Sequence, residues 1–158
     1  VTMEDLARFC DVFYIGGTKV GAMFGEAVVI TNEALQEDFR YIIKQKGGML
    51  AKGRLLGVQF LELFKDGLYF EISAHAIRMA NILKEGLAKL GYEFYADSKT
   101  NQQFVIVPNQ RLDEIKEKYG YEYQMPYDET SSVVRFCTSW ATKEEHVLAL
   151  LEDMKLEY

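Results

Sequence analysis

Three observations predict a chain of mixed class, α/β at its start and α+β beyond. Two β-branched and aromatic runs, Val12–Ile15 and Ala27–Ile30, flank a glycine-rich stretch. Short runs bounded in this way read as buried strands. From Leu68 to Leu90, apolar residues recur at spacings of three and four, the pattern of one long amphipathic helix. After it, strand-like and helical patterns alternate to the end, which gives a compact α+β domain of about 90 residues. The expected division is therefore 1–64 and 65–158.

In chain order, Thr2 with Asp5 three residues on forms a carboxylate variant of the capping box and predicts a helix over 2–9. The first strand follows and runs into Gly16-Gly17-Thr18-Lys19, with further glycines at 21 and 25. Glycines allow backbone conformations and close approaches that a side chain forbids. A lysine held beside two buried strands meets surroundings that disfavour its charge. That condition suits a nucleophile towards a carbonyl. The plainer alternative is a hairpin whose loop lysine points at water.

Thr31 and Asn32 cap a predicted helix with Leu35, Phe39, Ile42 and Ile43 on one face, and Gly47 and Gly48 end it. Met49 to Phe64 is apolar nearly all round, and such a helix is normally buried. A short chain has little core for it, so a contact with another subunit or a missing domain is expected. Lys65-Asp66-Gly67 is a turn before the long helix, and Gly91 stops that helix. Strands are expected near Tyr92–Tyr95, Phe104–Val107, Glu122–Gln124 and Val133–Cys137, with a helix near Leu112–Tyr119. Thr142 with Glu145 forms a capping box for a last helix carrying Val147, Leu148, Leu151 and Met154.

Composition narrows the function classes. The 158 residues are 49% hydrophobic and 27% charged, with a net charge of −6. That is a globular composition, and without a basic tract a nucleic-acid partner is not expected. Two cysteines and two histidines without metal-ligand spacing suggest neither a disulfide framework nor a metal. A reduced, cytoplasmic setting is expected. No apolar run is long enough for a membrane span. The chain opens on Val1 and at once enters a helix signal, which reads as the middle of a longer protein. The Gly-Gly-Thr-Lys stretch is not a Walker phosphate loop, because there glycine precedes the lysine and Ser/Thr follows it.

Asp11-Val-Phe-Tyr-Ile-Gly-Gly-Thr-Lys-Val-Gly-Ala-Met-Phe-Gly-Glu-Ala, then Ile43-Lys-Gln-Lys-Gly-Gly-Met-Leu-Ala-Lys-Gly-Arg-Leu-Leu-Gly-Val-Gln-Phe, carry a family likeness. With Asp66-Gly-Leu-Tyr-Phe-Glu, Thr100-Asn-Gln and Val133-Val-Arg-Phe in the same order, the chain resembles the low-specificity L-threonine aldolases. These belong to the β-eliminating lyase/threonine aldolase branch of the fold-type I pyridoxal 5'-phosphate (PLP) enzymes.

The resemblance implies the C-terminal part of such an enzyme: the end of its large PLP-binding domain over 1–64 and its small domain over 65–158. Lys19 matches the family lysine that bonds covalently to PLP, and Thr18 a Ser/Thr position close to the cofactor. Arg135 matches the arginine that holds the substrate α-carboxylate, a role suited to a guanidinium fork. Lys44, Lys46, Lys52 and Arg54 lie where the family places basic groups near the active site, with none singled out.

The implied reaction cleaves L-threonine or L-allo-threonine to glycine and an aldehyde. The alternatives are β-elimination within the same family, or a non-catalytic α+β module that binds a partner through the apolar 49–64 helix. The implied partners are a small amino acid substrate and further copies of the chain, as a homodimer or homotetramer. The family's pyridine-nitrogen aspartate, ring-stacking histidine and phosphate loop would lie upstream of Val1. The chain alone is accordingly expected to bind PLP poorly and to lack aldolase activity.

Overall fold

A computed structural model describes residues 1–155. The chain divides into two compact units, Val1–Tyr69 and Phe70–Tyr158.

The first unit opens with helix α1 (Met3–Phe9), whose N-terminus carries the expected capping box. The Thr2 hydroxyl accepts the Asp5 N–H at 3.2 Å, and the Asp5 carboxylate accepts the Thr2 N–H at 2.8 Å. Strands β1 (Val12–Gly16) and β2 (Glu26–Ile30) pair antiparallel, from Val12 opposite Ile30 to Gly16 opposite Glu26. They are not the buried strands expected. Exposed and half-buried positions alternate along β1, and Val12, Tyr14 and Val28 face water. Successive side chains on a strand point to opposite faces, and this pair has only one covered face.

The single helix expected after Thr31 is interrupted. Asn32 caps a 3₁₀ turn at Glu33–Leu35 by accepting the Ala34 N–H at 3.0 Å. Asp38 then adopts a left-handed backbone at φ 54°, and only Phe39–Gln45 forms helix α2. The helix ends as expected at Gly47, which adopts φ 76°. There the Gly48 N–H donates to the Ile43 carbonyl at 2.8 Å and the Gly47 N–H to Lys44 at 3.1 Å. This pair of bonds is a Schellman stop.

Residues 48–50 are irregular and 51–53 form a turn, so helix α3 (Arg54–Phe64) starts later than its apolar pattern. Phe60 and Leu63 are buried, whereas Leu55, Val58 and Leu61 are more than half exposed. The turn Lys65–Gly67 follows, with Asp66 at φ 52° and Gly67 at φ 78°.

Helix α4 (Leu68–Lys89) runs from the end of the first unit into the second. Its buried residues Ala76, Met79, Ala80, Leu83 and Leu87 keep the expected spacing, and Gly91 at φ 89° turns the chain out of it. A three-stranded antiparallel sheet follows, in the order β3 (Gln102–Pro108), β5 (Ser131–Cys137), β4 (Glu122–Pro126). The strand expected over 92–95 is reduced to one bridge, Phe94 opposite Val105.

Helix α5 spans Asn109–Ile115, directly after β3, and α6 spans Glu144–Asp153. Val105, Val107, Val134 and Phe136 on one sheet face join Met79, Leu83, Leu87, Leu112, Ile115, Val147 and Leu150 in one core.

Two further expectations fail in this unit. Thr142 is not the cap of α6: the cap is Lys143, and the Thr142 hydroxyl accepts the Ser139 N–H at 2.9 Å instead. Leu148 is exposed while Leu150 is buried, so the apolar stripe of α6 is rotated from the expected one. Tyr119 and Tyr121 pack against this core, whereas Tyr123, Tyr127 and Trp140 are exposed.

Candidate functional site

The end of β1 delivers the chain into a short, heavily constrained loop. Residues Thr18–Val20 form one 3₁₀ turn, closed by the Val20 N–H on the Gly17 carbonyl at 3.1 Å. The Ala22 N–H joins the same carbonyl at 2.9 Å. Gly21 leaves the turn at φ 100°, a conformation that suits glycine. A Cβ on Gly17 would stand 2.6 Å from the Ala22 Cβ and 3.0 Å from the Phe60 ring. The glycines are thus the means by which Lys19 is held on a fixed backbone.

Two residues from outside the loop fasten it. Gln59 of α3 accepts the Met23 N–H at 2.7 Å and donates to the Phe24 carbonyl at 3.3 Å. The Tyr69 hydroxyl donates to the Gly16 carbonyl at 3.1 Å, and burial raises the pKa of that phenol. The Lys19 and Thr18 side chains make no hydrogen bond or ion pair among the described residues, and both residues are exposed. The buried setting expected for Lys19 is therefore corrected, because the strands beside it are half open to water.

Arg135 lies in the second unit, on the middle strand β5. It shares a sheet face with Phe104, opposite it on β3, and Glu122, opposite it on β4. Its Nη1 donates to Gln102 Oε1 at 3.0 Å, while its Nε is buried and unpaired among the described residues. A buried donor without an acceptor calls for an explanation.

The segment leading to Gln102 is fixed by its own bonds. Thr100 Oγ1 accepts the Gln102 N–H at 3.2 Å, and Gln103 Nε2 donates to the Thr100 carbonyl at 2.9 Å. Asn101 Nδ2 donates to the Thr138 carbonyl at 2.7 Å, and the Thr138 N–H returns to the Asn101 carbonyl at 2.9 Å.

The structure places Thr18 and Lys19 together on one turn and Arg135 in the other unit. Gln59, Tyr69 and Gln102 carry no role in the sequence reading. All three nevertheless stand inside motifs quoted above, Gln59 in the run from Ile43 to Phe60, Tyr69 in Asp66–Glu71 and Gln102 in Thr100–Gln102. Of the four basic residues around Gly47-Gly48, Arg54 lines an open cavity of about 430 Å³ with Arg40, Gly48 and Leu50. Among the described residues, no group of three or more His, Cys, Asp or Glu side chains is placed to hold a metal, and no helix is long and apolar enough to cross a membrane.

No family model matches the chain. It is 33% identical over 146 residues to a low specificity L-threonine aldolase of Pseudomonas sp. (strain NCIMB 10558), covering 92% of this chain and 41% of that protein. The solved threonine aldolase of Leishmania major superposes with a TM-score of 0.93 at 44% identity, over 96% of this chain and 44% of the other. The 8-amino-7-oxononanoate synthase of Francisella tularensis superposes with a TM-score of 0.58 at 16% identity, over 84% of this chain and 41% of the other. That last likeness concerns the fold alone. The chain spans about two fifths of the length of the curated relatives it matches. The likeness read from the ordered motifs is borne out, and so is the fold class.

Proposed function

From its kinship with the low specificity L-threonine aldolases over nearly its whole length, we propose that this chain is the C-terminal part of a PLP-dependent aldehyde-lyase. The complete enzyme cleaves L-threonine, L-allo-threonine and similar β-hydroxy amino acids to glycine and an aldehyde. The observation that carries the reading is Lys19. Its amine is without a partner among the described residues, on a turn that glycines and two hydrogen-bonding side chains hold in place.

The residues present fit part of a PLP site. Lys19 offers an amine free for covalent attachment, and the exposed Thr18 hydroxyl is free to meet the cofactor beside it. PLP, when bound, supplies the electron sink for the breaking Cα–Cβ bond. Arg135 holds the amino acid carboxylate through its guanidinium and thereby orients the bond to be cleaved. The groups that would hold the ring and phosphate belong, on this reading, to the remaining length of the enzyme. The isolated chain is then a weak PLP binder without aldolase activity, and the complete enzyme a cytoplasmic homodimer or homotetramer.

The test is to add PLP to the complete protein, reduce with borohydride, and map the peptide that gains mass. Modification confined to Lys19 is the expected result. Labelling spread over surface lysines overturns the reading and leaves the non-catalytic module, which the exposed Leu55, Val58 and Leu61 favour. Retro-aldol turnover by the isolated chain near the rate of the complete enzyme would overturn the claim of inactivity.

A further inference from the structure

We propose that Gln102 is a positioning residue for Arg135, fixing the orientation in which its guanidinium meets a carboxylate. The inference rests on the reading of Arg135 as the carboxylate holder. Gln102 stands opposite Cys137, so it is the diagonal neighbour of Arg135 on the same face of the sheet. Long side chains reach across such diagonals.

Its Oε1 is the one protein acceptor that the guanidinium has among the described residues, at 3.0 Å from Nη1. Nε is enclosed without a partner, and Nη2 has none among the described residues. One arm is thus anchored and the other is left to take a ligand. An amide oxygen suits this task because it carries no net charge. It orients the guanidinium while leaving the full positive charge for the incoming carboxylate, whereas a glutamate in its place would occupy that charge.

The anchor is itself anchored. The bonds through Thr100, Asn101 and Thr138 fix the backbone on which Gln102 stands. Precise positioning of a binding group requires support of this kind from its neighbours.

The test uses the complete, PLP-loaded enzyme, with the cofactor absorbance followed during titration with glycine and, separately, with methylamine, which has no carboxylate. Gln102→Leu frees the guanidinium, which must then be ordered on binding, and is expected to weaken glycine binding about tenfold and to leave methylamine binding unchanged. Gln102→Glu, nearly identical in shape, is expected to weaken glycine at least as much. Steady-state kinetics with L-threonine should show a raised KM, with kcat lowered as well because the same guanidinium orients the bond to be cleaved.

Glycine binding unaltered in Gln102→Leu, or an equal loss for both amines, overturns the inference. Arg135→Lys separates the two levels. If it weakens glycine while Gln102→Leu does not, only the inference on Gln102 fails. If Arg135→Lys also leaves glycine binding intact, the carboxylate reading of Arg135 fails with it.

Discussion

Gln59 and Met23, separated by 36 residues in sequence, are joined by a 2.7 Å hydrogen bond from the Met23 N–H to the Gln59 side chain. The same amide donates to the Phe24 carbonyl and to the Leu55 carbonyl of its own helix. The side chain thus serves the glycine loop as a neighbouring strand would, offering both an acceptor and a donor.

Gln59→Leu keeps the bulk and removes both bonds to the loop, along with the one to Leu55. The expected cost is about 1 kcal/mol of stability, typical of a net intramolecular hydrogen bond. The sharper readout is local. Amide exchange at Met23 should accelerate more than exchange in α4, which hydrogen-exchange mass spectrometry resolves.

Gly17 and Gly57 make a matched pair. At Gly17 a new Cβ meets the Ala22 Cβ at 2.6 Å, so Gly17→Ala forces the backbone of the lysine turn to move. A loss of about 1–3 kcal/mol is expected, as for overpacking elsewhere. At Gly57, inside α3, nothing lies within 4 Å. Gly57→Ala should therefore gain about 0.5–1 kcal/mol from helix propensity. Denaturant titration of the two variants should move the midpoint in opposite directions.

In the second unit the buried Tyr92 hydroxyl donates to the Met154 carbonyl at 2.9 Å. Burial raises the Tyr92 pKa, Arg111 opposes that shift, and Glu114 adds to it. The folded state therefore holds its phenolic proton at a pH where the unfolded chain has released it. Stability is unaffected below the ordinary phenol pKa of about 10 and falls as pH rises above it. Tyr92→Phe should lower stability by about 1–2 kcal/mol near neutral pH and flatten the alkaline decline. Thermal unfolding followed from pH 8 to 11 checks both.

The acid limb has the opposite sign. Asp128 accepts the Thr130 and Ser131 N–H groups at 2.7 Å each in the turn between β4 and β5. These bonds, that of the Thr130 backbone foremost, lower its pKa. Asp97 is lowered by Lys84, and Asp153 by Lys118 and then Tyr119. Carboxylates of this kind stabilise the fold above their unfolded pKa, and the contribution is lost as pH falls below about 4. Asp128→Ala should make the melting temperature less dependent on pH between 5 and 3, as calorimetry across that range would show.

What the sequence revealed followed the reach of each interaction. Thr2 with Asp5, the Gly47-Gly48 stop and the α4 stripe are decided within a turn or two of chain, and all three were legible. Thr142 shows the limit: the same hydroxyl had two local partners, and the structure gives it to Ser139 rather than to α6. Tyr92–Tyr95 looks like a strand, yet the chain bends away after one bridge and two flanking bonds, Tyr95 N–H to Phe104 and Ile106 N–H to Glu93. Lys19 and Arg135 stood out as residue types within family motifs. Gln59 and Gln102 did not, because each acts across more than 30 residues of separation, and a lone glutamine carries no periodic or compositional signal.

The bulge between Tyr123 and Met125 on β4 has a consequence for solubility. An outer strand normally displays a continuous row of donors and acceptors that can recruit a strand from another molecule. Here that row is displaced at the bulge, and Pro126 has no N–H to contribute. At the opposite margin, the Phe94 bridge covers part of β3. The outer strands of the second unit's sheet are therefore poorly suited to recruiting a strand from another molecule and to seeding a fibril.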